Sequence, residues 1–339
     1  MTRTGDAVTC WTLAAEGIEL EVLDHGAIIR ALRVPDRHGA PGDVVLGHET
    51  LDAYEADPFQ LGTMVGRVAG RIRGAAFTLD GVRHRLAATA DGTHLHGGVR
   101  GFGARPWSAR PVACEGGAAL ELRRTSPHGE EGYPGTVEVV LTYTVTRGRL
   151  DVAWTATTDR ATPVNLTQHA YFDLSAGRGG DVRAHTVQVH ASRHLVLDAA
   201  LLPTGAIADV AGTPFDLRAG AVLGDRLDDP HPPLRAARGF DLTYLLDDGA
   251  DPAAVVTEPV SGRTLTVRTT EPALQFYTGN FLDMTPPHHV GRRFARHAGL
   301  CLETQHCPDA PNQPQFASVI VWPGEVRRSA TSFTFGCLP

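Results

Sequence analysis

Two polar residues interrupt apolar surroundings in a way that suits proton transfer. Glu303 follows the apolar run Ala298-Gly299-Leu300-Cys301-Leu302 and precedes Thr304-Gln305-His306, then a loop stiffened by Pro308, Pro311 and Pro314. This pattern predicts a carboxylate at the end of a buried strand beside a rigid loop, where burial and neighbouring charges tune proton affinity. An ion pair with an arginine is the plainer use of the same residue. His169 lies in Asn165-Leu166-Thr167-Gln168-His169-Ala170-Tyr171-Phe172, where polar residues crowd an otherwise apolar stretch. An imidazole takes or gives a proton near neutral pH; the alternative is a core histidine satisfied by backbone groups.

Other residues are candidates for binding. His94 and His96 form an H-x-H pair within Thr93-His94-Leu95-His96-Gly97-Gly98. Residues two apart on a strand share a face, so the pair could hold a metal, but no E-x-x-H or cysteine stands close by to complete a ligand set. Hydrogen bonding by one or both rings is the preferred reading. Arg71 follows the small residues Ala69 and Gly70, which leave room for its guanidinium to reach a ligand or simply to be solvated. Asp241, in Gly239-Phe240-Asp241-Leu242, suits either sugar hydroxyls or a turn. Glu130-Glu131 reads as a solvated Gly/Pro turn rather than a glycosidase pair, because adjacent side chains point apart. Cys307 beside His306 is a weak nucleophile candidate, since adjacency in sequence does not supply the spatial pairing such catalysis needs.

The elements that must position these groups are mostly strands. Short apolar/polar alternations bounded by Gly, Asp, Asn or Ser recur along the chain. Asp80-Gly81 between Phe77-Thr78-Leu79 and Val82 predicts a tight hairpin. Leu141, Tyr143 and Val145, then Arg147-Gly148-Arg149, then Leu150, Val152 and Trp154, predict a second, and Ser261-Gly262 a third. Only Glu49–Ala56 and Val290–Ala298 carry helical patterns. The pattern predicts a large all-β sandwich or barrel with few short helices. Its Pro/Gly-rich stretches are too short for interdomain linkers, so a single domain over residues 1–339 is expected.

Composition removes whole classes of chemistry. All 31 basic residues are arginine and none is lysine, so Schiff-base chemistry and the phosphate-binding lysine of P-loops and kinases are disfavoured. There is no G-x-S-x-G, no H-E-x-x-H, and no G-x-G-x-x-G opening a helix. With 38 acidic residues and a net charge of −7, nucleic acid is not an expected partner. The N-terminus lacks a secretory apolar core, and no run approaches the ~20 apolar residues of a membrane span; a cytoplasmic location and no membrane association are expected. The five scattered cysteines are expected to be free thiols.

Taken in order, these segments resemble the aldose 1-epimerase (galactose mutarotase) family from about Leu61 to Phe335. The shared motifs begin with Gly66–Ile72, His94–Gly98, Gly132–Gly135 and Asn165–Phe172. They continue through Leu202–Gly205, Thr213–Asp216, Gly239–Asp241, Gln275–Asn280 and Glu303–His306. The resemblance implies a galactose mutarotase-like antiparallel β-supersandwich with the sugar in an open cleft. It casts Glu303 as the general base on the anomeric hydroxyl and His169 as the general acid at the ring oxygen. Arg71, His96, Asp241 and Gln275 would hold hydroxyls and developing charge. No cofactor and no metal are required, the substrate is a free monosaccharide, and a monomer or weak homodimer is expected. A carboxylate close to His169 is expected to favour its charged, acid form.

The chain departs from the family pattern at a few positions. Gly70 stands where asparagine often precedes the arginine, and Leu242 where histidine often follows the aspartate. Gln168, Ala170, Ala317 and Val326 also differ from common versions. None removes a proposed catalytic group, so these changes bear on sugar preference more than on activity. The alternatives are a glycoside-processing or phosphosugar-epimerising relative, a non-catalytic sugar-binding protein, and a metal enzyme built on His94 and His96.

Overall fold

A computed structural model describes residues 5, 7–89, 92–285 and 291–338 of the chain. Its regular structure is dominated by antiparallel strands. The largest sheet has nine, running Ser108–Val112, Ala118–Ser126, Val137–Thr146, Arg149–Thr158, Arg327–Cys337, Arg263–Thr269, Ala254–Thr257, Thr186–Val189 and Ala221–Val222 across its width. A five-stranded sheet runs Pro203–Asp209, Arg193–Leu197, Asp241–Leu245, Ala273–Tyr277 and Cys301–Gln305. A third, four-stranded sheet holds the N-terminal strands Cys10–Ala15, Ile18–Leu23, Ile28–Pro35 and Pro41–Asp43.

Alternation along each strand builds the sandwich. Val137, Val139, Leu141, Tyr143 and Val145 are buried while the residues between them are not, as a two-residue side-chain repeat requires. Leu141 lies opposite Trp154 on the next strand. On the five-stranded sheet, Leu242, Tyr244, Leu274, Phe276 and Leu302 face inward and join the same apolar cluster as Leu141, Val152 and Phe333 of the large sheet. Each such side chain contributes roughly 1.5–3 kcal/mol of burial. The opposite face of the five-stranded sheet is therefore free to be polar.

The Phe77/Val82 and Val145/Leu150 hairpins form in the expected register. The third turn is longer than its sequence suggests, because Glu258 accepts from the backbone N–H groups of Val260 and Ser261 and makes Glu258–Gly262 a five-residue loop. Leu51–Glu55 is helical, with the N–H of Ala53 donating to the Thr50 hydroxyl at 3.3 Å. The second helical expectation fails: residues 291–298 contain no helix, and Val290 lies outside the described residues. There, the N–H of His297 donates to Gly279 O and its carbonyl accepts from Val182 N. Tertiary backbone bonds outweigh the short apolar period. Among the described residues no helix is long and apolar enough to cross a membrane. All five cysteines are free.

Candidate active site

Strand register arranges the polar face into rows. Asp241 pairs with Tyr277 and Tyr277 with Cys301; Thr243 with Gln275 and Gln275 with Glu303; Leu245 with Ala273 and Ala273 with Gln305. Directly opposite residues in an antiparallel pair share a face, so these nine side chains form one surface. Within it, the Gln275 amide Nε2 donates to Asp241 Oδ1 at 2.7 Å, and the Thr243 hydroxyl donates to Gln275 Oε1 at 2.5 Å. Glu303 stands at the middle of Cys301–Gln305 rather than at a strand end. It is 2% exposed.

The rest of the site arrives from the Gly66–His96 region and from the segment around His169. Arg67 is buried and anchors the first of these, donating to Ser126 Oγ, Ser126 O, Pro127 O and Pro134 O at 2.8–2.9 Å. Four residues on, Arg71 pairs with Leu95, and its side chain makes no hydrogen bond or ion pair with any described residue. The tight turn after His96 depends on Gly97, where a Cβ would lie 1.7 Å from Gly66 O. Between the two strands, the N–H of Gly70 donates to His96 Nδ1 at 3.3 Å. His169 is fixed by its own backbone, N–H to Thr63 O and carbonyl to Gly62 N, and by Tyr171, whose ring stacks on it at 5.0 Å.

All six residues singled out from the sequence (Arg71, His96, His169, Asp241, Gln275 and Glu303) line one cavity of about 260 Å³. His169 Nε2 lies 3.6 Å from Glu303 Oε1, and Cys301 Sγ lies 3.6 Å from His169 Nδ1. The His96 and His169 rings are 5.1 Å apart. Sequence reasoning missed Thr243, Tyr171, Tyr277 and Gln305, which also line the cavity. The signal that would have found Gln305 is the two-residue spacing from Glu303 on a buried strand.

Burial sets the proton affinities, and it opposes the expected charged imidazolium. Desolvation lowers His169 to about 4, while desolvation, reinforced by Asp241 and opposed by Arg71, raises Glu303 well above the usual carboxylate range. Proximity alone favours the ion pair, but both partners lose too much hydration. Burial thus pushes both members of the pair toward their neutral forms. Asp241 is raised by burial against the opposing pull of Arg71 and Gln275, and His96 is lowered well below its usual value by burial, then by His169 and Arg71.

Ligand atoms of His96, His169 and Glu303 lie within 4.8 Å of one another, a spacing that raises the question of a metal. The Gly70 N–H answers it for His96. A ring nitrogen that accepts a hydrogen bond is unprotonated, so neutral His96 carries its proton on Nε2, as a donor rather than a ligand. The H-x-H pair fails as a metal site on other grounds. His94 is directed away into the fold, its nitrogens 2.7 Å from Ala87 O and from the Tyr133 hydroxyl, while His96 takes a positive φ of 50° at the strand end. Two-residue spacing does not place both rings on one face here.

The remaining candidates are structural. Glu130 is not a solvated turn residue; it pairs with the buried Arg124 and accepts from Ser126. Glu131 accepts from the N–H groups of Val99 and Arg100. His306 sits 2.6 Å from Glu271, and burial pushes the Cys307 thiol up to about 11, which suits no nucleophile. Leu242 turns its side chain away from the sugar-sized cavity into the core, so that departure removes no group from the site.

A sequence profile described as aldose 1-epimerase matches residues 9–334. The chain belongs to the aldose 1-epimerase family. Within that family of isomerases it is 42% identical to galactose mutarotase from Rattus norvegicus over 333 residues, 98% of this chain and 95% of that one. It is 33% identical to aldose 1-epimerase from Escherichia coli K12 over 327 residues, covering 94% and 92%. Among solved structures, an aldose epimerase homologue from C. elegans superposes with a TM-score of 0.90 at 29% identity, covering 98% of this chain and 100% of that one. A galactose 1-epimerase from Lactobacillus acidophilus superposes at 0.88 and 27%, covering 99% and 97%.

Proposed function

We propose that this chain interconverts the α and β anomers of a free aldohexose, galactose or glucose, by opening and reclosing the ring. One observation carries the reading. Ring opening removes a proton from the C1 hydroxyl and delivers one to the ring oxygen, and both oxygens are bonded to the same carbon. The groups that move the protons must therefore lie close together, and Glu303 and His169 do, at 3.6 Å in the cavity wall.

In this scheme ionised Glu303 takes the C1 hydroxyl proton as the C1–ring oxygen bond breaks, and protonated His169 gives its proton to the ring oxygen. The products are an open-chain aldehyde, a protonated Glu303 and a neutral His169. Burial shifts both groups in the direction of these protonation states. Rotation about C1–C2 presents the other face of the carbonyl. Reclosure returns the Glu303 proton to the carbonyl oxygen and the ring-oxygen proton to His169, leaving the opposite anomer and the starting charges. Arg71, whose side chain has no hydrogen-bond or ion-pair partner among the described residues, faces the developing charge; His96 Nε2–H, Asp241 and Gln275 offer a donor, an acceptor and an amide to the hydroxyls.

The competing enzyme readings fit less well. Asp241 and Glu303 are both carboxylates, but Asp241 is tied to Gln275 at 2.7 Å and lacks the freedom of a second glycosidase group. A phosphosugar would bring a dianion to two carboxylates and one guanidinium. The test is polarimetry or proton NMR on freshly dissolved α-D-glucose and α-D-galactose with and without protein. Acceleration that Glu303→Gln abolishes supports the proposal; no acceleration of either sugar removes it.

A further inference from the structure

Gln305 is fully buried, and neither its amide nitrogen nor its amide oxygen has a hydrogen-bond partner among the described residues. A buried amide left this way is costly, and such groups in native proteins have a use. The same is true of one Glu303 carboxylate oxygen, Oε2. Both residues line the cavity, and both belong to Cys301–Gln305 two positions apart. Residues so spaced project from the same face about 6.5–7 Å apart, a gap that two long side chains close by rotation.

We propose that Gln305 is a positioning residue whose side-chain N–H donates to the Glu303 carboxylate when that carboxylate is ionised. The other amide on this face is already held by protein partners, since Gln275 donates one N–H to Asp241 and accepts from Thr243, keeping its second N–H for a sugar hydroxyl. The residue opposite Gln305 is Ala273, too small to compete for the space or the hydrogen bond. Other groups acting on Glu303 are Asp241 and Arg71, His169, and the neutral Tyr171, Tyr277 and Cys301. Of these, Arg71 and, when protonated, His169 stabilise the charged carboxylate, each as a cation across the cavity rather than as a donor within the strand. Gln305 supplies the missing donor at the moment Glu303 must become a base, and releases it when Glu303 is protonated.

The inference builds on Glu303 as the base, but its test is independent of turnover. Glutamate labelled with ¹³C at the carboxyl carbon is incorporated into the sugar-free protein, and the Glu303 resonance is identified by its loss in Glu303→Gln. Its titration is then followed in the parent, Gln305→Met and Gln305→Glu. Removing a donor to the charged form raises the titration midpoint, so Gln305→Met moves it up by about one pH unit. Gln305→Glu, which adds a like charge, moves it further. The kcat/KM of Gln305→Met falls about tenfold with KM within twofold, and thermal melting confirms that each variant is folded. An unchanged Glu303 midpoint in whichever variant folds overturns the proposal, as does a loss expressed only in KM. If the titration shifts but neither sugar is turned over by the parent protein, the positioning role stands and the epimerase reading fails.

Discussion

His169 Nε2 and Glu303 Oε1 lie 3.6 Å apart in a site where burial lowers the first group's proton affinity and raises the second's. Burial thus favours the neutral form of both groups, and in the proposed scheme the sugar draws the pair into the ion-paired arrangement before the ring opens. Arg71 and the sugar hydroxyls are the groups available to do this.

This relationship fixes the expected effects of removing either partner. Glu303→Gln keeps the shape and should retain sugar affinity within a few-fold while kcat falls about 10²–10⁴-fold. His169→Asn should likewise lose kcat more than affinity. Saturation kinetics by polarimetry separate the two parameters. A variant that loses only affinity would reassign that residue to binding.

The pH profile follows from the same shifts. In the proposed scheme the productive enzyme carries one proton on the pair, whichever partner holds it. Activity falls at the acid end only where His169 gains a second proton, near 4, and at the alkaline end where Glu303, held high by burial, loses the last one. The expected kcat/KM shows no acid limb above about pH 5 after subtraction of the spontaneous rate. An acid limb between pH 6 and 7 would falsify this assignment of proton affinities.

Much of this site was legible because its chemistry is written in residue types at strand spacing. Glu303 and Asp241 are carboxylates beside apolar runs, and His169 breaks an apolar segment. What sequence could not show is which face each strand turns to the cavity. Leu242 looked like a change in the site, yet register sends it to the core while Asp241 and Thr243 face the cavity. His94 and His96 looked paired, yet the strand holding His94 ends after Leu95 and the chain turns at His96. The sandwich was readable from alternations such as Val137–Thr146, whereas the expected helix over 290–298 was not, because backbone bonds from His297 to Gly279 and Val182 are invisible to any local pattern.

Treatment with EDTA followed by gel filtration should leave the rate unchanged. The reason is the Gly70 N–H at His96 Nδ1, which leaves Nε2 protonated and unable to ligate. A rate lost to chelator and restored by a divalent cation would overturn that tautomer and the roles built on it.

Arg67 provides a separate test of how the site is held. Its buried guanidinium makes four short contacts to the 126–134 segment, and Arg67→Ala would leave those carbonyls buried without donors. The expected cost is about 3–5 kcal/mol in urea unfolding. The folded fraction should also show weaker sugar binding, because Arg71 hangs from the same segment. A loss below about 1 kcal/mol would mean that the contacts are exchanged for water.

At Gly70, expected from the sequence to stand where asparagine is common, a larger residue meets a specific obstacle. Its φ of +72° is one that asparagine tolerates, so the backbone would accept Gly70→Asn. Space would not, because a Cβ there falls 2.9 Å from Pro308 Cβ. The substitution should lower stability by about 1–3 kcal/mol through overpacking and should not tighten sugar binding. Adding Pro308→Ala should recover most of the loss in a double-mutant cycle, since the two side chains compete for one space. If Gly70→Asn alone is neutral in melting temperature and lowers KM, the Pro308 ring moves freely and the glycine is a lost sugar contact rather than an accommodation to the proline.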